Sequence, residues 1–197
     1  VTTQVARIRQ YVADLHADSL LWGRDLLARN SRGQVDIPRL IDGNVALQVF
    51  SMPTKTPRGL NIQRNTGDSD QIFWLALAQR WPISAWNSLT ERALYQAGRL
   101  QNMAERSQGR FVLIRSSQDL SLYLQRRQND KAITAGILSI EGAHALDGRL
   151  DNLARLYDAG YRMISVAHFF DNEFGGSSAG VKKDGLTEKG RELIAQM

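Results

Sequence analysis

The sequence predicts an α/β fold of the (β/α)8 barrel type, and three observations carry that prediction. Short apolar, β-branched runs recur along the chain, each ends in a polar residue, and an amphipathic stretch follows each one. The first run ends in His16-Ala17-Asp18, where a dinucleotide-binding sheet would carry its glycine-rich turn. The runs also recur about every 34 residues, so eight units would need about 270, an ordinary barrel size. With 197 residues in the sequence, residues 1–197 read as the N-terminal portion of a single barrel domain, truncated after about five βα units.

The elements follow in order. Tyr11-Val12-Ala13-Asp14-Leu15 is the first run, ending at His16. The second is Val45-Ala46-Leu47-Gln48-Val49-Phe50, ending near Ser51. Phe111-Val112-Leu113-Ile114 ends at Arg115-Ser116, and Gly136-Ile137-Leu138-Ser139-Ile140 ends at Glu141. The fifth, Met163-Ile164-Ser165-Val166-Ala167, ends at His168. Near-continuous apolar runs of this kind suit the buried strands of a parallel sheet. Helices are predicted over 19–29 and over 70–106, the latter broken by Pro82. Further helices are expected over 118–127 with Ser116 or Ser117 as cap, over 150–159 stopped by Gly160, and from Glu188 onward with Thr187 as cap.

Composition narrows the function. The chain is 43% hydrophobic and 23% charged, with no Cys. That excludes a disordered chain, a disulfide scaffold, a zinc finger, an iron–sulfur cluster and a thiol nucleophile. No apolar run approaches a membrane span. Residues 1–10 carry Arg7 and Arg9 and no apolar leader core, although a chain that begins with Val leaves an upstream leader or anchor open. The net charge of +5 is read as a solvated surface. Its densest basic spots, Arg126-Arg127 and Lys182-Lys183, are isolated, so nucleic acid is not expected as a partner.

The candidate chemistry lies at the ends of the runs. In a strand, residues i and i+2 share a face, so His16 and Asp18 would both face the barrel mouth and could bind a divalent cation. A histidine hydrogen-bonded near a loop explains the same spacing. Glu141 ends an apolar strand, where a carboxylate is costly unless paired or metal-bound; a surface glutamate at a loop start is the alternative. His168 could polarise a substrate carbonyl or stabilise an oxyanion, or be a buried histidine with its bonds satisfied. His144 could support the site from behind, or be a plain loop histidine. Gly175-Gly176-Ser177-Ser178-Ala179-Gly180 reads as a flexible loop without the features of a phosphate-binding loop. Trp22 is a candidate pocket wall.

Together these residues resemble the membrane (renal) dipeptidase family, peptidase family M19. Asp14-Leu15-His16-Ala17-Asp18 is similar to its Asp-x-His-x-Asp opening, and Ile140-Glu141-Gly142-Ala143-His144 to its Ile-Glu-Gly-x-His signature. Gly43 to Ser51 is similar to its second strand. His168 and Asn172 fall where the family has Thr-His-x-x-x-Asn, and Gly185-Leu186-Thr187-Glu188-Lys189-Gly190 matches its Gly-Leu-Thr-x-x-Gly. The segment from Phe169 to Gly176 looks like bacterial members.

The resemblance implies a metallo-dependent hydrolase barrel and a zinc-dependent dipeptidase acting through a metal-activated water. It implies that His16 and Asp18 bind the first zinc, that Glu141 bridges two zincs, and that His168 contacts the substrate. It leaves Asn172 and His144 as supporting positions rather than ligands. The family also needs two further histidines on later strands. The three histidines here are already assigned, so the chain is expected to hold at most a partial site and to be inactive alone. A dipeptide substrate is the expected partner, and the open sheet edges of a part-barrel leave a homodimer open. Localisation is left undecided between cytoplasmic and exported or anchored. Two rival readings share the fold. One is another binuclear amidohydrolase acting on a lactam or lactone, and the other is a non-catalytic barrel homologue.

Overall fold

A computed structural model describes residues 11–197. Residues 1–10, read above as lacking a leader core, lie outside the described residues. All five apolar runs are strands: β1 (Val12–Ala17), β2 (Val45–Pro53), β3 (Phe111–Leu113), β4 (Thr134–Glu141) and β5 (Tyr161–Ile164). They form one parallel sheet. β2 and β4 are buried along nearly their whole length, as parallel strands covered on both faces must be, whereas β1 is largely exposed.

The strand order refines the sequence reading. β2 pairs directly with β4, from Leu47↔Ala135 to Pro53↔Glu141. β5 then pairs with β4 through Leu138↔Tyr161 to Ile140↔Ile164. The sheet order is β1-β2-β4-β3, with β5 pairing with β4 off that path. β3 lies beside the start of β4 at Phe111↔Thr134, and β5 beside its later part. The Phe111 ring meets Phe50 edge-on at a centroid distance of 5.9 Å.

Seven helices cover the sheet among the described residues: α1 (Ile37–Asp42), α2 (Gln71–Ala78), α3 (Ser84–Asn87), α4 (Leu89–Arg106), α5 (Ser117–Asn129), α6 (Asp151–Asp158) and α7 (Glu188–Gln196). The break expected at Pro82 is present, since α2 ends at Ala78 and α3 starts at Ser84. Ser88 then opens α4 by accepting a hydrogen bond from Glu91 N at 3.1 Å. Ser116 caps α5, accepting from Asp119 N at 3.0 Å. The helix expected over 19–29 is not there. Only a 3-10 turn, Ser19–Leu21, forms before extended backbone at Trp22. Several of that segment's carbonyls are instead taken by side chains from elsewhere in the fold, so tertiary bonds displace helical ones. α1 was missed, although Asp36, Ile37 and Pro38 carry its signals: the Asp36 carboxylate accepts from Arg39 N at 2.9 Å and Pro38 lies in the first turn.

Thr187 caps α7 as expected, accepting from Gly190 N at 3.0 Å while its hydroxyl donates to Glu173 O at 2.7 Å. Thr187→Ala is expected to cost about 1 kcal/mol, read as a shift in urea midpoint. An unchanged midpoint would mean that the helix start is held by other contacts.

α4 carries much of the packing that places the strand ends. The buried Tyr161 hydroxyl donates to Ala93 O at 2.8 Å, tying β5 to this helix. Thr90 Oγ1 donates to Ala145 O at 2.8 Å, and the Asp147 carboxylate accepts from Leu89 N at 3.0 Å and Thr90 N at 3.1 Å. These bonds fix the 3-10 turn Ala143–Leu146, which follows β4, against the start of α4.

Candidate metal centre

The parallel register brings the carboxyl ends of β1, β2 and β4 to one side of the sheet. Ala17 pairs with Phe50, and Pro53 with Glu141. His16, one residue before the end of β1, projects with Asp18, as period-two geometry requires. Its Nε2 lies 3.2 Å from Asp18 Oδ1 and 3.0 Å from Glu141 Oε1. The ligand atoms of His16, Asp18 and Glu141 all lie within 4.8 Å of one another. On the far side of the carboxylate, His168 Nε2 is 2.9 Å from Glu141 Oε2. The structure thus brings together four of the residues singled out in the sequence, across 152 positions of chain from His16 to His168 (168 − 16).

The electrostatics suit a bound cation. Asp18 Oδ1 and Glu141 Oε1 are buried acceptors with no hydrogen bond of their own, although His16 Nε2 is close to both. Burial, and then the Glu141 charge, raises the Asp18 carboxyl to about 6. Burial also pushes Glu141 upward, but the hydrogen bond and charge of His168, with Asp18 and His16, bring it below its ordinary range. Two carboxylates and an imidazole aimed at one point, with buried lone pairs left over, are a donor set that suits a divalent cation of intermediate softness.

The supporting residues act through the backbone. Asp14 Oδ1 accepts from His16 N at 3.1 Å, a reason for an acidic residue two positions before the histidine. Gly142 N donates to Ser165 Oγ at 2.8 Å, which pins the Glu141 end of β4 to the chain leaving β5. That strand ends at Ile164, so His168 stands in the following loop rather than at the strand's end as the sequence suggested. The loop holds it all the same. Ser177 Oγ donates to His168 O, and Asn172 Nδ2 donates to Val166 O at 2.8 Å while its Oδ1 accepts from Phe174 N at 2.8 Å. Asn172 therefore shapes the loop and makes no hydrogen bond to His16, Asp18 or Glu141. The glycine-rich stretch read as flexible is organised too. The Asp171 carboxylate accepts from Ser177 N, Val181 N and Lys182 N at 2.7–2.8 Å. Ser165 and Ser177 carried no signal in the sequence, because their partners lie 23 and 9 residues away and bond through backbone atoms.

His144 is 95% buried against Phe170, with ring centroids 4.7 Å apart, and neither of its ring nitrogens has a hydrogen-bond partner. It packs against Phe170 and makes no hydrogen bond to Glu141. Burial, then the neighbouring His168 and Lys55, lowers its pKa to about 3, with Asp147 and Glu141 opposing. An unfolded histidine titrates near 6.5. Between those values the unfolded chain binds a proton that the native state refuses. Stability from this group is full above about pH 6.5 and is lost as the pH falls toward 3, at up to ~1.4 kcal/mol per pH unit. His144→Phe should flatten that part of the stability profile, measured by urea unfolding of the metal-free chain from pH 7.5 to 4. An unchanged slope would assign the acid sensitivity to other groups.

No helix of the described residues is long and apolar enough to cross a membrane. The model of the membrane dipeptidase family (peptidase family M19) matches residues 4–197. An uncharacterised dipeptidase of Schizosaccharomyces pombe is 26% identical over 167 residues, covering 84% of this chain and 36% of its own length. Among solved structures, dipeptidase AC, an M19 metallopeptidase, superposes with a TM-score of 0.62 at 26% identity, over 94% of this chain and 53% of that one. A Rhodobacter sphaeroides metallopeptidase, solved with a phosphinate mimic of the dipeptide L-Ala-D-Ala, gives a TM-score of 0.62 at 24% identity, over 94% and 55%. The chain thus spans about a third of the curated relative and about half of the solved chains. The parallel sheet with its covering helices is the TIM-barrel, metallo-dependent hydrolase fold of these neighbours.

Proposed function

The chain belongs to the membrane dipeptidase family, peptidase family M19, and from that membership we propose that it is the N-terminal part of a single catalytic domain of a zinc-dependent dipeptidase. The observation that carries this reading is the convergence of His16, Asp18 and Glu141 within 4.8 Å. His16 and Asp18 would hold a first zinc, and Glu141 would serve both that ion and a second. When bound, zinc supplies a water of lowered pKa and polarises the scissile carbonyl.

The chain's own groups do the remaining work. Glu141, 8% exposed at its side chain, supplies fixed negative charge where water is largely excluded, which strengthens its pull on a cation. His168 is partly exposed, and its Nε2 lies against Glu141 Oε2. A small turn of that ring would let the N–H donate to an oxygen of the peptide as negative charge gathers there. Asn172 and Ser177 hold the loop that carries His168, so the ring pivots on a fixed backbone. The exposed Trp22, which follows the Asp18 turn, is a wall available to a substrate side chain.

Turnover by the intact protein tests the reading. A dipeptide panel that includes L-Ala-D-Ala should be hydrolysed, with activity lost on chelation and restored by zinc, and metal analysis should give about two zincs per site. Turnover of lactams or lactones alone would replace the dipeptidase with another amidohydrolase. A metal content near zero with no turnover would leave a non-catalytic homologue.

A further inference from the structure

The three ligand side chains are not held in the same way. His16 lies within β1, whose next residue pairs with Phe50. Glu141 ends β4, where it pairs with Pro53 and is followed by the Gly142–Ser165 bond. Asp18 lies beyond the strand pairing. Its backbone opens the turn Ser19–Leu21, with Leu21 N donating to Asp18 O at 3.1 Å. Its carboxylate can be no better placed than that turn.

The turn is gripped from a distant helix. Arg99 on α4 donates through Nη1 to Leu20 O at 2.6 Å, and through Nη2 to Trp22 O at 2.9 Å and Arg24 O at 3.4 Å. The carbonyl between the first two, Leu21 O, accepts from Gln79 Nε2 at 2.9 Å. Both clamps are themselves oriented. Gln96 Oε1, buried, accepts from Arg99 Nη1 at 2.9 Å, and Gln79 Oε1 accepts from Trp81 Nε1 at 3.2 Å. Carbonyls that a helix over 19–29 would have bonded internally are thus bonded by side chains 58 to 79 residues away. A planar guanidinium holds its donors in a fixed fork, which here serves these three carbonyls and the Gln96 oxygen together, whereas an ammonium has three donors on one atom.

We infer that Arg99 is a positioning residue for the metal centre, acting through the turn that carries Asp18. The inference rests on the metal reading above, because it assigns Arg99 a role only if Asp18 is a ligand. Loss of the grip lets the turn and the Asp18 carboxylate move while His16 and Glu141 stay on their strands. Outer groups that orient ligands typically contribute 10–100-fold to metal affinity.

The test is a double-mutant cycle on the intact protein, with zinc alone titrated against a chromophoric chelator. Arg99→Lys is expected to weaken zinc binding roughly 10-fold, and Asp18→Asn to weaken it as well. The double variant should bind like Asp18→Asn, because Arg99 has nothing left to position. An undiminished Arg99→Lys loss in the Asp18→Asn background would make the effect general destabilisation and overturn the inference, as would an Arg99→Lys chain that binds zinc like the wild type. If Arg99→Lys does not fold, Gln79→Leu, which frees only the Leu21 carbonyl, goes through the same cycle with the same criteria. A wild-type intact protein that takes up no zinc removes the metal reading itself and the inference with it.

Discussion

Glu141→Gln is expected to abolish tight zinc binding while leaving the chain folded. The side chain keeps its size, so β4 and its pairing with Pro53 are undisturbed. What changes is charge and donor character. One carboxylate oxygen now faces His16 Nε2 at 3.0 Å and the other faces His168 Nε2 at 2.9 Å. An amide replaces one of those lone-pair oxygens with an N–H group that cannot coordinate a cation. Groups that merely orient a ligand contribute 10–100-fold, so loss of a ligand itself should exceed ~100-fold, or ~3 kcal/mol. The metal-free variant carries a second signature. The Asp18 carboxyl is raised first by burial and then by the Glu141 charge; with that charge gone its pKa should fall, a change readable by carboxyl NMR titration. Zinc affinity equal to wild type would dissolve the triad as a site. Weak affinity with an unfolded chain would mean that the carboxylate holds the strand end, and the circular dichroism spectrum separates the two outcomes.

The residues of the candidate metal centre were legible because each signal was local. His16 and Asp18 are two apart at the end of one strand, Glu141 ends an apolar run, and together these signals point to convergence at the strand ends. The helices over 71–78, 117–129 and 188–196 were legible for the same reason, since a cap or a breaker within four residues announces each. What was not legible depends on distance along the chain. The segment after Asp18 has a helical composition, and its carbonyls are drawn out of a helix by partners such as Arg99 and Gln79, far downstream. Strand order was equally hidden. Nothing in Phe111-Val112-Leu113 announces that β3 pairs with the start of β4 while β5 pairs with its later part, because those pairings join residues far apart in the chain. The position of His168 shows a third kind of miss. The apolar run 163–167 extends past the last paired residue, since Val166 and Ala167 lead into a loop whose shape is set by Asn172, Asp171 and Ser177.

Gly142→Ala is expected to be among the most damaging single-methyl additions to this chain. The residue has φ +92° and ψ 129°, a conformation that side chains avoid at a cost of about 1–3 kcal/mol. A Cβ there would also stand 2.4 Å from His144 Cε1 and Nδ1 and 3.4 Å from His168 Cβ. The His144 ring cannot retreat easily, because it is buried and stacked on Phe170. Overpacking adds about 1–3 kcal/mol, so a total near 3 kcal/mol is expected, or a melting point roughly 6–12 °C lower for a domain of this size. The affected backbone joins Glu141 to the Ser165 anchor, so zinc affinity should fall in parallel. Gly98→Ala, at a helix position where nothing lies within 4 Å of the added methyl, should instead raise stability by about 0.5–1 kcal/mol. The cause of the damage can be separated by pairing Gly142→Ala with His144→Ala. Removing the ring relieves the clash and leaves the backbone strain, so Gly142→Ala should cost less in that background. An equal cost in both backgrounds would place the whole penalty on φ, and a melting point unchanged by Gly142→Ala would deny that this glycine needs its conformation at all.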